Sequence, residues 1–135
     1  RTLSKMERIV FKEKLQLLNK AGAQRMLTQK LVKLLMMKKF GVGNEFETEI
    51  EIKEVVSEFE KTMEFLRNYS LNSSLIAAQI IIVNEVWQRF LNSVKQNELD
   101  KTLDLNGAVL IEMDKTVDLY EKMFSSHSSQ NAYAD

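Results

Sequence analysis

The 135 residues include no proline and no cysteine, and only four glycines. Average usage at this length would give about seven prolines and about nine glycines. So few turn formers exclude a β-sandwich, a barrel or any other loop-rich fold, and leave long helices with few corners. Without cysteine there is no disulfide, no thiolate nucleophile and no cysteine metal site. The single histidine, His127, excludes two-histidine metal motifs and speaks against a Ser-His-Asp triad. A Glu-x-x-His pair of the di-iron type and a phosphate-binding glycine loop are also absent. These absences point to no cofactor and to no enzyme. Acidic and basic residues balance at 19 each, and zero net charge gives no case for nucleic acid, which needs a basic surface. No apolar run approaches the ~20 residues of a membrane span. A chain that begins at Arg1 reads as an excised domain or a processed product.

The periodicity is helical throughout. A first segment runs from about Leu3 to Phe40 and stops at Gly41-Val42-Gly43, a left-handed helix end. Asn44 opens a second helix, with Glu47 three residues on as a capping box. Its apolar positions Ile52, Val56, Phe59, Met63 and Leu66 step by four and three. The corner Ser70-Leu71-Asn72-Ser73 follows, with Asn72 or Ser73 as the next cap. A third seam carries Ile76, Ile80, Val83, Trp87, Phe90 and Val94. Asn97 and Asp100 mark the start of a fourth, with Leu99, Leu103, Asn106, Leu110, Met113, Val117, Tyr120 and Phe124. Asn106-Gly107 is also a turn signal, but the seam continues on both sides and places it inside the helix. The pattern predicts an all-α fold: an antiparallel up-down four-helix bundle with an elongated first helix. The bundle is expected over residues 1–126, with a flexible tail over 127–135. Four helices in up-down order put both chain ends at one end of the bundle.

The first segment carries two seams. One is Phe11, Leu15, Leu18, Gly22, Arg25, Gln29, Val32 and Met36; the other is Val10, Lys14, Leu17, Ala21, Gln24, Thr28, Leu31 and Leu35. A helix packed only on its own bundle needs one apolar stripe. Two stripes predict that it faces its bundle on one side and a second copy of the chain on the other. One broad core-facing stripe is the alternative.

The first seam breaks at its centre. Gly22 within a helix costs roughly 1 kcal/mol relative to alanine, so something close must need the space. Arg25 shares this stripe, and its helical neighbours Ala21, Gly22, Thr28 and Gln29 include no acid. Its guanidinium therefore needs an anion, a carboxylate of another helix such as Glu85 or Asp104, or water. A planar fork of donors fits a flat oxyanion or carboxylate. Two copies of Arg25 on a two-fold axis would repel, and an anion between them would remove the repulsion.

The run Asn19 to Lys30, Asn-Lys-Ala-Gly-Ala-Gln-Arg-Met-Leu-Thr-Gln-Lys, resembles the signature of the PilJ/NarX-type sensory domain. That family includes periplasmic domains of nitrate/nitrite sensor histidine kinases and N-terminal domains of type IV pilus methyl-accepting chemoreceptors. The resemblance implies a four-helix bundle between two membrane helices, dimerising through its first helix, in the periplasm. It implies that Arg25 holds nitrate or nitrite between protomers. Gly22 would give close approach, and Gln24, Met26 and Gln29 would line the neighbourhood. Ala23 and Lys30 stand where the family often has arginine, and Thr28 where it usually has serine. A carboxylate or apolar ligand in the same fold, or a protein-binding module, stays open beside the anion.

Other residues read more plainly. Asn106 on the fourth seam suits a buried register-fixing amide, with a ligand contact as the sharper option. Trp87 and most of the seven methionines have core spacing, while Met36 and Met37 suit the contact with a second copy. Glu45, Glu47, Glu49 and Glu51 alternate, so they cannot share one helix face and read as a solvated surface at a helix start.

Overall fold

The fold is that of a computed structural model, which describes the backbone of residues 2–134 and the side chains of residues 2–125. Four helices follow in order: α1 Lys5–Phe40, α2 Glu45–Arg67, α3 Ser74–Lys95 and α4 Leu99–Ala134. The described residues include no strand. α1 packs beside α2 and α4, α3 packs beside α4, and α2 and α3 meet least. This is the expected four-helix bundle.

Local chemistry sets the corners. Ser4 accepts from the Glu7 N–H at 3.1 Å and starts α1. Gly41, at φ 67°, ends it in the left-handed region that glycine enters without strain. Asn44 accepts from the Glu47 N–H at 3.0 Å, and Ser73 from the Ile76 N–H at 3.1 Å. Asn72, the other candidate cap, instead donates to the Leu66 carbonyl and accepts the Tyr120 hydroxyl at 2.8 Å. It ties the α2–α3 corner to α4. Asn97, at φ 56°, turns the chain into α4.

One helix is longer than its seam indicated. α4 has 36 residues, as many as α1, so the elongated helix has a matching partner. Its backbone is helical through the Ser-rich segment as far as Ala134. After Gly107 the chain contains neither glycine nor proline, so nothing stops the helix. The side chains of that segment, His127 included, lie outside the described residues.

The core is apolar with hydroxyls woven in. Phe59, Leu66, Val83, Phe90 and Tyr120 are fully buried, and Trp87 stacks on Phe59 with ring centroids 3.9 Å apart. In α4 the buried row is Thr102, Asn106, Val109, Met113, Thr116, Tyr120 and Phe124, while Leu103 is 39% exposed. The expected seam through Leu99, Leu103, Leu110 and Val117 is thus rotated. The threonines can enter because each bonds its own helix: Thr102 to the Glu98 carbonyl at 2.9 Å, Thr116 to the Glu112 carbonyl at 2.8 Å. A hydroxyl satisfied locally carries little desolvation cost.

Across α3 and α4, Gln79 donates to both the carbonyl and the carboxylate of Glu112, at 3.0 and 2.7 Å. That bond, assisted by Lys115, holds the Glu112 carboxyl below its ordinary 4.5, against the opposing effect of burial. A depressed folded value means stability present above pH 4.5 and lost as pH falls through the lowered value. Glu112→Gln is expected to cost roughly 1 kcal/mol at pH 7 and to flatten this acid limb. Urea midpoints of both proteins between pH 3 and 7 check it; parallel acid limbs would refute it.

Candidate functional site

The Asn19–Lys30 segment divides between two faces of α1. Ala21, Gln24 and Thr28 are buried; Gly22, Arg25, Met26 and Gln29 are exposed. Gln24 donates to the Phe59 carbonyl of α2 at 2.9 Å, and its own side-chain carbonyl has no partner. Asn106 of α4 donates to the Thr28 carbonyl at 3.2 Å. The inner face therefore pins α1 to α2 at Gln24 and to α4 at Thr28. The buried Asn106 supplies the α4 tie, as a register-fixing amide would.

The outer face holds Arg25. Its guanidinium donates to the Asp114 carboxylate of α4 at 2.7 Å, and both side chains are about half exposed, 52% and 56%. The cross-helix acid is Asp114; Glu85 and Asp104, the acids considered from sequence, do not make this contact. Asp104 is close to Asn106 in sequence, but the bundle register places Arg25 opposite a residue ten further on. Beside the pair lies a groove of about 340 Å³ between α1 and α4, lined by Gly22, Arg25, Asp114, Asp118 and Glu121 among others. Three carboxylates against one guanidinium make its wall acidic, and Asp118 is engaged by Lys122 at 3.0 Å.

Gly22 borders this groove. A Cβ at Gly22 would meet no side chain and no neighbouring helix within 4 Å among the described residues. No neighbour among the described residues of the protomer uses that space. The same seam continues as exposed apolar surface in both directions. Phe11 is 57% exposed, Leu15 46% and Phe40 63%. Toward its far end Gln29, Val32, Met36 and Phe40 line a shallow, almost wholly apolar depression. The second seam, with Leu17, Ala21, Gln24, Thr28 and Leu31, is the core face. α1 therefore has one buried stripe and one exposed stripe, the exposed one apolar toward both ends and polar at its centre, where Gly22, Arg25 and Gln29 lie.

The sequence-predicted residues do not form one cluster. Gly22, Arg25 and Gln29 share the outer stripe. Gln24 faces the core, and Met26, at 72% exposure, sits on the outward surface of α1. Met6 and Met36 are exposed too, so fewer methionines fill the core than their spacing indicated. Trp87 is a core residue, 1% exposed, with its indole N–H on Glu60 at 3.2 Å.

The sequence profile of the type IV pili methyl-accepting chemotaxis transducer N-terminal domain, PilJ, matches residues 13–128. The chain belongs to the PilJ family. Neither the curated proteins nor the solved structures yield a match. The PilJ match spans all four helices and contains the Asn19–Lys30 segment, so the resemblance carried by twelve residues extends over the bundle. PilJ domains are sensory domains of chemotaxis transducers, in general non-enzymatic and typically periplasmic.

Two helices of this PilJ domain outrun the rest. Glu13 and Gln16 of α1 lie beside Asn68, Tyr69 and Ser70 at the α2–α3 corner, so Lys5 to Lys12 extend past it. Tyr120 of α4 reaches Asn72 at the same corner, and α4 continues to Ala134. Lys14 sits over the Phe124 ring at 5.3 Å where the two extensions begin. The start of α1 and the end of α4 thus leave the bundle together. No helix among the described residues is long and apolar enough to cross a membrane.

Proposed function

We propose that this PilJ domain is the periplasmic ligand-binding part of a bacterial transmembrane receptor. It binds a small anion, nitrate or nitrite first, between the α1 helices of two copies. Arg25 of each copy faces the anion, Gly22 lets the helices approach, and Gln29 borders the site. Met26 lies at its outer edge, and Gln24 acts from inside by fixing the turn of α1 that carries Arg25. The observation that carries the reading is the outer stripe of α1: an exposed arginine beside a glycine whose space nothing in the protomer uses. Flanking membrane helices would continue from the α1 and α4 extensions, and a shift of these two helices would pass the signal inward. An anion between two facing guanidinium groups removes their repulsion, which couples binding to the pairing of the copies.

Calorimetric titration of the chain with nitrate, nitrite and a panel of organic anions tests this. Nitrate or nitrite is expected to give heat, and Arg25→Ala to weaken binding about 10- to 100-fold, as loss of a charge-assisted hydrogen bond does. An Arg25→Ala protein that binds as tightly as the parent would sink the site. A second reading rests on a cavity of about 280 Å³ at the other end of the bundle. Leu35, Val94 and Leu99 line it, with Lys38 and Lys39 beside them. Glu45 also lines it and Glu49 engages Lys38, so the apolar wall with Lys39 beside it suits a mainly apolar body with one anionic end. Heat from such a ligand that survives Arg25→Ala would favour this cavity.

A further inference from the structure

Arg25 is already occupied within the protomer. Asp114 holds its guanidinium at 2.7 Å, and Asp118 and Glu121 line the same groove. We infer that Asp114 is an internal competitor for the anion site: incoming anion and α4 carboxylate contend for the same guanidinium, and the winner decides whether α1 is latched to α4. The inference rests on the anion reading of Arg25.

The geometry leads there in three steps. An anion that met Arg25 with Asp114 still in place would sit a few ångströms from a carboxylate, where like charges oppose each other even in water. Asp114 lies on the α4 side of Arg25, and Gly22 and Arg25 border that α1–α4 groove while remaining exposed. An anion shared with a second α1 helix would take the guanidinium donor that now holds Asp114. The pair is half exposed, so it is weak enough for a millimolar anion to displace. Once it opens, Arg25 no longer ties α1 to α4 at this level, and the Asn106 bond to the Thr28 carbonyl is the next contact along. Asp114 thus sets both the affinity threshold and the link between occupancy and the α1–α4 contact. A strongly held partner would block the site, and no partner would leave nothing to release.

Nitrate titration of the chain, of Asp114→Asn and of Asp118→Asn tests the inference. Asp118 lines the same groove but pairs with Lys122, so it reports the effect of charge alone. Both acids are surface residues, and far-ultraviolet dichroism checks that each variant folds. Asp114→Asn is expected to bind nitrate about three- to tenfold more tightly, and Asp118→Asn to stay within about twofold of the parent. Binding by Asp114→Asn when the parent shows none would support competition in its strongest form. Equal affinity of the parent and Asp114→Asn would overturn the competitor while leaving the Arg25 site standing. Equal tightening by both variants would overturn it in favour of a general charge effect. Heat from none of the three would remove the anion site, and the competitor with it.

Discussion

Gly22→Leu is expected to make the single chain more stable and, where two copies pair through α1 as proposed, to abolish that pairing. The two effects have separate causes. Within the protomer, a side chain at position 22 meets nothing within 4 Å among the described residues, so it introduces no clash. Replacing a mid-helix glycine by leucine then gains most of the glycine penalty, about 0.5–1 kcal/mol. The urea midpoint should rise accordingly. Between two copies the outcome reverses. If two α1 helices cross at their Gly22 turns, the glycine sets how closely they approach. A leucine on each side separates the backbones by several ångströms and moves both Arg25 groups away from a shared anion. Self-association measured by sedimentation should weaken at least 100-fold, with nitrate heat lost alongside, because overpacked contacts cannot close. A variant that is more stable and still pairs as the parent does would place the interface elsewhere. A variant that is less stable would mean that Gly22 serves the protomer after all.

The same glycine shows how far the sequence could be read. Gly22 in the middle of a helical pattern announced an unmet need for space, and the two apolar stripes of α1 announced two faces. The 3.6-residue period alone separates a buried stripe from an exposed one on α1, and the structure has both. The corners were equally legible, because Gly41, Asn44 and Ser73 act on backbone groups within three residues of themselves. Relations between helices were not legible. Arg25 was seen to need a counter-charge, but choosing Asp114 over Asp104 or Glu85 requires the register of α1 against α4. That register is set by distant contacts such as Asn106 on the Thr28 carbonyl.

Polarity misled in two places. Thr102 and Thr116 were left off the fourth seam, yet a threonine that bonds the carbonyl four residues back has its hydroxyl satisfied and can be buried. The fourth seam was consequently traced one step round the helix. Gln24 was grouped with Arg25 because they are adjacent in a recognised motif. Adjacent helical residues point about 100° apart, so one faces α2 and the other solvent. The motif therefore presents two faces in one stretch, an inner anchor at Gln24 and an exposed side with Arg25.

That anchor connects the exposed face of α1 to the centre of the core, where the second large effect is expected. Trp87→Ala should cost about 3–5 kcal/mol, the range for truncating a buried aromatic. Trp87 is 1% exposed, stacks on Phe59 at 3.9 Å and lies 5.4 Å from the Phe90 ring centre. Stability for a domain of this size is of order 5–15 kcal/mol, so the loss is roughly a fifth or more of the total. The melting temperature should fall by roughly 10–20 °C. Trp87→Phe keeps most of the volume but loses the bond to Glu60, and should cost about 1–2 kcal/mol. The order matters more than either value: equal losses would mean that the Glu60 bond, not the stack, holds this layer. Phe59 also carries the carbonyl that receives Gln24, and Gln24 precedes Arg25. A cavity beneath Phe59 should therefore reach the outer face of α1. Amide exchange between Gln24 and Gln29 is expected to accelerate in Trp87→Ala more than in Trp87→Phe, at a temperature where both remain folded. Uniform acceleration over all four helices would indicate global destabilisation instead. Faster exchange confined to α1 and α2 around that layer would show that the core sets the rigidity with which Arg25 is presented.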